Sequence, residues 1–333
     1  MVDTVKVANF ETTVNDSIGI IYLPPSFAVV AAVAFKQKVQ AFFAQHPHVK
    51  ELVLDFGNTH FIDSSGIGAL VIGYRLSQAQ SAQVRLKNVP SQVMMALSMT
   101  ELDQVFDIEP LPEPSPEHPS ERLSLERLPA THPSVRSRAK RFLDIVGALV
   151  GLVISSVLFI PIAIAIKLED GGPLFFKQTR CSWMGKRFTI FKFRSMVTDA
   201  EQLKTQVANE LEGPLFKNEK DPRITNVGRF LRKTSLDELP QFWNVLRGDM
   251  SLVGTRPPTP DEIEQYEVPE WRRLNVKPGM TGEWQVNGRS TVKKFEDVIR
   301  LDLKYQENWS LLYDIKLIVK TVLVLFSKRS GAA

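Results

Sequence analysis

Three short stretches in the second half of the 333-residue chain concentrate the residues able to do chemistry. In Phe191-Lys192-Phe193-Arg194-Ser195-Met196, strand-like alternation puts Lys192 and Arg194 on one face and the two phenylalanines on the other. Taken alone, this reads as a half-buried strand with a solvated basic edge. The second stretch, Arg229 to Pro240, holds Arg232, Lys233, Ser235, Asp237 and Glu238. Ser235 followed three residues later by Glu238 has the form of a capping box, which leaves Glu238 open to a purely structural role. Adjacent carboxylates at a helix start, behind a basic run, also favour their charged forms. An ionised Asp237 there can act as a nucleophile or a Mg²⁺ ligand. The third stretch, Gly248 to Pro258, sets Arg256 in a stiff loop suited to presenting its guanidinium bidentately to phosphate. Two turn-rich segments follow, Lys277 to Gly282 and Gln285-Val286-Asn287-Gly288-Arg289. No Gly-x-x-x-x-Gly-Lys-Ser/Thr loop occurs, which disfavours a nucleoside triphosphatase of that type.

The elements that must carry these stretches divide at a proline-rich linker. Pro110, Pro112, Pro114, Pro116, Pro119, Pro129 and Pro133 fall within 110–133 and exclude regular structure. Before it, strand and helix patterns alternate. Strands are expected at Val5–Glu11, Ser17–Leu23, Glu51–Phe56, Val84–Leu86 and Gln104–Ile108, with helices at Phe27–Gln45, Ser64–Gln80 and Ser91–Met99. The sum is a small α/β domain with a mixed sheet over 1–109, then a linker over 110–137 and a second domain over 138–333. That second domain opens with Ile145–Ile166, twenty-two residues without a charge, long enough at about 1.5 Å per residue to cross roughly 30 Å of hydrocarbon. A membrane helix is therefore expected at about 142–167. Basic residues flank it on both sides, and Pro161 lies within it. These features favour a helix that enters and leaves through one leaflet over a kinked span. The stripe Gly147–Gly151–Ser155 can seat a helix–helix contact, and a homodimer is one outcome. Residues 311–327 are amphipathic and fit either the membrane interface or a soluble surface.

Charge is uneven. Residues 1–109 carry 7 Lys+Arg against 10 Asp+Glu, and residues 138–333 carry 31 against 23. The basic half suits phosphates and an anionic membrane surface; nucleic acid is not expected as a partner. All five histidines precede residue 133, so chemistry beyond that point must use carboxylates, lysine and arginine. The single cysteine, Cys181, fits a reducing compartment, and the polar, acidic N-terminus lacks the pattern of a secretory signal.

From about Arg138 to Arg329 the chain resembles the bacterial sugar transferase family, the monotopic polyprenyl-phosphate phosphoglycosyl transferases. The resemblance rests on an ordered set: Lys140-Arg141-Phe142-Leu143-Asp144, Phe191–Met196, Thr234–Gln241, Asn244–Ser251, Gly254-Thr255-Arg256-Pro257, Lys277-Pro278-Gly279 and Gln285–Arg289. It implies a mixed α+β fold with a re-entrant membrane helix and interfacial helices, at the cytoplasmic face of a bacterial inner membrane. It also implies transfer of a sugar 1-phosphate from a UDP-sugar to undecaprenyl phosphate with release of UMP, initiating exopolysaccharide or another surface glycoconjugate. Asp237 is then the nucleophile that becomes an acyl phosphate, Glu238 completes the dyad, and both are candidate Mg²⁺ ligands. Lys192, Arg256, Arg289 and Asp302 are implied substrate-binding residues. The motif style resembles that of hexose 1-phosphate transferases. One departure concerns the helix: the family's Ser-Pro break would fall at Ser156-Val157, whereas the proline here is Pro161.

The first half resembles a STAS domain, through Leu52-Val53-Leu54-Asp55-Phe56 and Phe61-Ile62-Asp63-Ser64-Ser65-Gly66-Ile67-Gly68. That resemblance implies a regulatory protein partner and makes Ser64 a candidate phosphorylation site; alternatively Asp63 or Ser64 merely caps a helix. Besides the enzyme, a second reading is a membrane-anchored STAS signalling module with a non-catalytic transferase-like half. A soluble two-carboxylate glycosidase fits poorly on a phosphate-suited surface beside a membrane helix.

Overall fold

The computed structural model describes residues 10–111, 132–203, 207–209, 213–216, 218, 220–287, 292 and 294–326, without the side chains of 325 and 326. Most of the expected linker, most of the expected strand at Val5–Glu11, and Arg289 lie outside the described residues. The chain forms two compact units. One comprises Met1–Thr131, Met184–Lys186 and Tyr266–Asn275; the other comprises His132–Trp183, Arg187–Gln265 and Val276–Ala333.

The first unit is an α/β layer with a mixed sheet. Its strands are β1 (Thr12–Asn15), β2 (Ile18–Tyr22), β3 (Ser26–Phe27), β4 (Glu51–Asp55), β5 (Phe61–Ile62), β6 (Gln83–Val89) and β7 (Asp107–Pro110). The main sheet runs β1-β2-β4-β6-β7, antiparallel between β1 and β2 and parallel thereafter. Leu52, Val53 and Leu54 of β4 are all buried, as a central parallel strand requires. Helix α1 (Val29–Gln45) buries Ala31, Ala32, Phe35, Val39, Phe42 and Phe43 at helical spacing. Helices α2 (Ser64–Ala79) and α3 (Ser91–Met99) complete the layer, and Asp63 caps α2 by accepting from Gly66 N at 3.0 Å. Strand β7 starts three residues later than expected. Glu101 turns the chain through the left-handed region (φ 61°) into a 3-10 turn over Leu102–Gln104 first. Strand β1 is a polar edge strand with alternating exposure, which gives hydrophobic patterning little to detect.

The second unit opens with the short helix α4 (Pro133–Arg136) and the 33-residue helix α5 (Arg138–Asp170), which holds Pro161 inside a continuous helical run. Its amphipathicity is inverted. Lys140, Asp144, Ala148 and Gly151, and further along Ile162 and Ile166, face inward at three- and four-residue steps within each group, while Phe142, Val146, Leu149, Val150, Val153, Ile154, Val157, Ile160, Ile164 and Leu168 are exposed. The helix is fastened along its length. Lys140 Nζ reaches Asp314 Oδ2 at 2.6 Å, and Asp144 Oδ1 accepts from Ser251 Oγ at 2.8 Å and Leu252 N at 2.9 Å. At the far end Asp170 pairs with Arg194, and Glu169 accepts from Asn226 N at 2.7 Å. The small-residue stripe is used within the chain: a Cβ on Gly147 would lie 2.5 Å from Leu252 Cδ1, one on Gly151 would lie 2.4 Å from Phe242 Cγ, and Ser155 Oγ donates to Leu239 O at 3.3 Å. The stripe thus seats this unit's own elements, and it supplies no argument for a second copy.

The remaining elements are the antiparallel pair β8 (Phe175–Cys181) and β9 (Arg187–Phe193), then α6 (Asn226–Lys233), α7 (Gln241–Arg247), β10 (Ser251–Val253), α8 (Pro260–Glu264), β11 (Gly279–Thr281), α9 (Glu283–Asn287), α10 (Phe295–Glu307) and α11 (Leu311–Phe326). Helix α11 is inverted too: Asp314 and Leu317 are buried, while Leu312, Ile315, Val319, Val322 and Leu323 are exposed. The unit does contain one imidazole. His132 lies 2.9 Å from the Gln306 carbonyl through Nε2 and 2.7 Å from Ser134 Oγ through Nδ1, so both ring nitrogens serve the fold.

Candidate active site

The carboxylate pair sits on a tight turn whose walls are built from both sides. Helix α6 starts at Thr225, whose side chain accepts from Gly228 N at 2.9 Å, and ends in Arg232 and Lys233. The chain then breaks from the helix at Ser235, a non-glycine residue in the left-handed region (φ 55°), and enters the 3-10 turn Leu236–Glu238. Such local strain is kept where surrounding contacts hold it, commonly at functional sites. The expected capping box does not form: the Ser235 side chain makes no cap hydrogen bond, and Glu238 turns instead to Lys192. The left-handed Ser235 backbone withdraws the hydroxyl from the position a cap requires.

Lys192 Nζ lies 2.8 Å from Glu238 Oε1. The strand carrying that lysine is fixed by Asn244 of α7, whose side chain is fully buried. Asn244 Nδ2 donates to Thr189 O at 2.7 Å, and its Oδ1 accepts from Phe191 N at 3.2 Å. One amide thus pairs with β9 as a neighbouring strand would, one residue before Lys192. Helix α7 is held in turn by Arg141, which donates to the carbonyls of Val245 at 2.7 Å and Leu246 at 2.6 Å. The solvated basic edge expected at β9 is not found. Lys192 is ion-paired, and Arg194 is buried against Asp170.

Asp237 is buried, at 6% exposure. Arg232 supplies its cationic surround. Burial holds the Arg232 guanidinium below its ordinary pKa, and Asp237 is the carboxylate that most opposes that shift. Arg232 is oriented by donating from Nε to Ser195 Oγ at 2.9 Å.

Arg256 follows β10, and its fork is fixed bidentately: Nη1 to Glu262 Oε2 at 2.8 Å and Nη2 to Glu262 Oε1 at 3.1 Å. Glu262 also closes a genuine capping box with Thr259 at the start of α8. Beside it, Arg180 donates from Nη1 to the Pro257 carbonyl at 2.9 Å and from Nε to Gln178 Oε1 at 3.0 Å. Burial, then repulsion from Arg256, pulls Arg180 down to about 10, still a cation at neutral pH; Glu262 and Glu238 act against that shift. Two guanidiniums lie within reach of each other's field with the Glu262 carboxylate between them in charge, which leaves the cluster net cationic.

The structure therefore brings Lys192 to Glu238 and Arg232 toward Asp237, and sets Arg256 beside Arg180. Asp302 comes from α10, fully buried on the helix face that also carries Val298 and Tyr305. Ser64 lies in the first unit, also fully buried. Arg180 and Glu262 were not singled out from the sequence. The Thr259-Pro-Asp-Glu262 spacing was the available signal for Glu262, whereas Arg180 carries none of its own.

Residues 135–328 match the bacterial sugar transferase family, and residues 9–113 match the STAS domain. The chain belongs to the bacterial sugar transferase family. Among relatives, a galactosyl transferase, CpsE, of Streptococcus agalactiae is 52% identical over 189 residues, covering 56% of this chain and 42% of the relative. The undecaprenyl-phosphate galactose phosphotransferase of Salmonella typhimurium is 46% identical over 202 residues, covering 58% and 41%. The exopolysaccharide production protein ExoY of Rhizobium meliloti is 39% identical over 190 residues, covering 55% of this chain and 84% of that protein. The match to the first two spans about two fifths of their own length. The matched family region takes in the dyad turn, Lys192, Arg180, Arg232, Arg256 and Glu262.

Proposed function

We propose that this member of the family transfers a hexose 1-phosphate from a UDP-sugar to undecaprenyl phosphate at the cytoplasmic face of a bacterial inner membrane, releasing UMP and opening the synthesis of a surface polysaccharide. The observation that carries this reading is the Lys192–Glu238 pair beside the buried Asp237, with Arg232 toward Asp237 and the Arg180–Arg256 guanidiniums nearby. A carboxylate approaching a diphosphate must overcome like-charge repulsion, and preorganised cations in a partly dry site lower that barrier most. An Asp237 carboxylate oxygen attacks the sugar-proximal phosphorus. The phosphoanhydride bond breaks, UMP leaves with its electron pair, and an aspartyl-phosphosugar remains. An oxygen of the lipid phosphate then attacks the same phosphorus, and the acyl phosphate bond breaks to restore the Asp237 carboxylate.

Mg²⁺ fits the donors present. Asp237 and Glu238 are hard oxygen ligands, and among the described residues no group of three or more His, Cys, Asp or Glu forms a dedicated cage. Binding through one or two carboxylates plus phosphate and water oxygens is the habit of Mg²⁺. When bound, the ion offsets charge on the diphosphate.

The outward apolar residues of α5 and α11, with Phe230 and Trp243, supply the lipid contact. Because α5 is tied to its own unit from Lys140 to Asp170, the fitting arrangement is a helix sunk along one leaflet with its packed face kept on the protein.

The test is UMP release by the full chain in undecaprenyl-phosphate vesicles with a panel of UDP-sugars and Mg²⁺. Asp237→Asn is expected to abolish release and to prevent accumulation of a sugar-phosphate adduct on the protein. Undiminished release by that variant overturns the nucleophile assignment. Absence of release with every UDP-sugar favours the non-catalytic module.

A further inference from the structure

The start of α2 is sealed by residues from more than two hundred positions further along the chain. Tyr266–Asn275, which include the 3-10 stretch Val268–Asn275, belong to the first unit. Ser64 Oγ donates to the Trp271 carbonyl at 2.7 Å and also contacts the Asn275 side-chain amide; Ser64 N donates to Asn275 Oδ1 at 3.1 Å. Burial raises the Asp63 carboxyl above its ordinary pKa, and backbone hydrogen bonds and the Asn275 side chain act against that rise. Trp271 lies against Gly68, where a Cβ would come within 2.4 Å of its Cγ. On α1, Lys36 pairs with Glu267. The segment brings its own scaffold: Arg273, fully buried, donates to the Tyr266 hydroxyl and sits 5.7 Å over that ring, while Glu270 accepts from Glu267 N at 2.8 Å.

Hydrogen bonds, ring packing and an ion pair from two helices, α1 and α2, converge on one short stretch, so this is a built seat. Its place in the chain gives it a consequence. The segment begins four residues after Glu262, which fixes the Arg256 fork, and ends two residues before Lys277-Pro278-Gly279, the lead into β11. We propose that the α2 face of the STAS-like unit is a docking surface for Tyr266–Asn275 of its own chain, and that this seat clamps the stretch holding Glu262 on Arg256. The surface is filled in cis, so a separate protein reaches Ser64 only after the segment leaves.

Gly68→Ala tests this in the full-length protein in lipid nanodiscs. Alanine favours the α2 helix over glycine, but its methyl occupies the Trp271 position. Hydrogen–deuterium exchange is expected to rise at least tenfold across 266–275 and across 259–264, with the α2 and β4 amides still protected. Unchanged exchange in 266–275 overturns the seat, and faster exchange there with 259–264 unchanged overturns the clamp. Asn275→Ala, which removes the amide without a clash, is the second variant and is expected to show the same pattern more weakly. This readout needs no turnover, so it stands apart from the transferase reading on which the activity consequence rests. That consequence is a raised KM for UDP-sugar in Gly68→Ala; where the wild type turns over, a KM unchanged in the variant overturns it.

Discussion

Lys192 Nζ and Glu238 Oε1 stand 2.8 Å apart, joining the C-terminal end of β9 to the dyad turn forty-six residues later. Both side chains are about one third exposed or less, so the ion pair itself is worth about 1 kcal/mol or less. Its larger effect is to fix the geometry of the turn. Lys192→Gln is expected to lower kcat/KM for UDP-sugar about 10²-fold while leaving the melting temperature within a few degrees. A matching loss in thermal stability would reassign Lys192 to the fold.

Arg180 is expected to act on substrate affinity. Its guanidinium is planar, oriented by Gln178 and Pro257, and set beside Arg256 in a way a lysine ammonium does not reproduce. Arg180→Lys and Arg180→Gln should both raise KM for UDP-sugar, by about tenfold or more. Rescue by lysine would reduce the role to one of simple charge.

Acid stability should depend on Asp221. Burial raises its pKa, but hydrogen bonds from the Arg223 guanidinium and backbone outweigh that and leave the carboxyl below its ordinary value. A folded pKa below the unfolded one contributes stability above about pH 4, which disappears as pH falls through the folded value. Asp221→Asn should cost about 3 kcal/mol at pH 7, because Arg223 is left buried without its countercharge. It should also flatten the loss of stability below pH 4. Denaturant melts from pH 7 to pH 3 check this, and parallel curves for the two proteins would rule the assignment out.

Cys181, the lone cysteine, should be chemically silent. Burial pushes its thiol up to about 12, against weaker opposing effects of Arg187 and Arg180. At pH 8 its thiolate fraction is roughly 10³-fold below that of a free thiol. Iodoacetamide at pH 8 should therefore label the protein only after denaturation.

Much of this site was readable from local pattern. The dyad, the basic strand and the Arg256 loop are contiguous runs, and the α/β periodicity of the first unit is regular enough to place α1, β4, α2 and α3 within about two residues. What escaped was long-range. Arg180 gains its meaning from Pro257 and Arg256, seventy-odd residues away, and Ser64 from Trp271, 207 residues away. The Ser235–Glu238 spacing misled because a capping box presumes extended backbone at its first residue, whereas Ser235 is left-handed. The glycine stripe on α5 does seat a helix contact, Gly151 against Phe242 of α7, but the pattern marks close approach and does not say to what.

The inside-out character of α5 also limits how the protein can be handled. Deleting the helix to obtain a water-soluble fragment would strip Lys140 from Asp314, Arg141 from the end of α7 and Asp170 from Arg194 in a single cut. What is left would be an unsupported shell. Replacing the outward Val153, Val157 and Ile160 with glutamine or lysine keeps every one of those fastenings, so surface redesign is the route to a detergent-free enzyme.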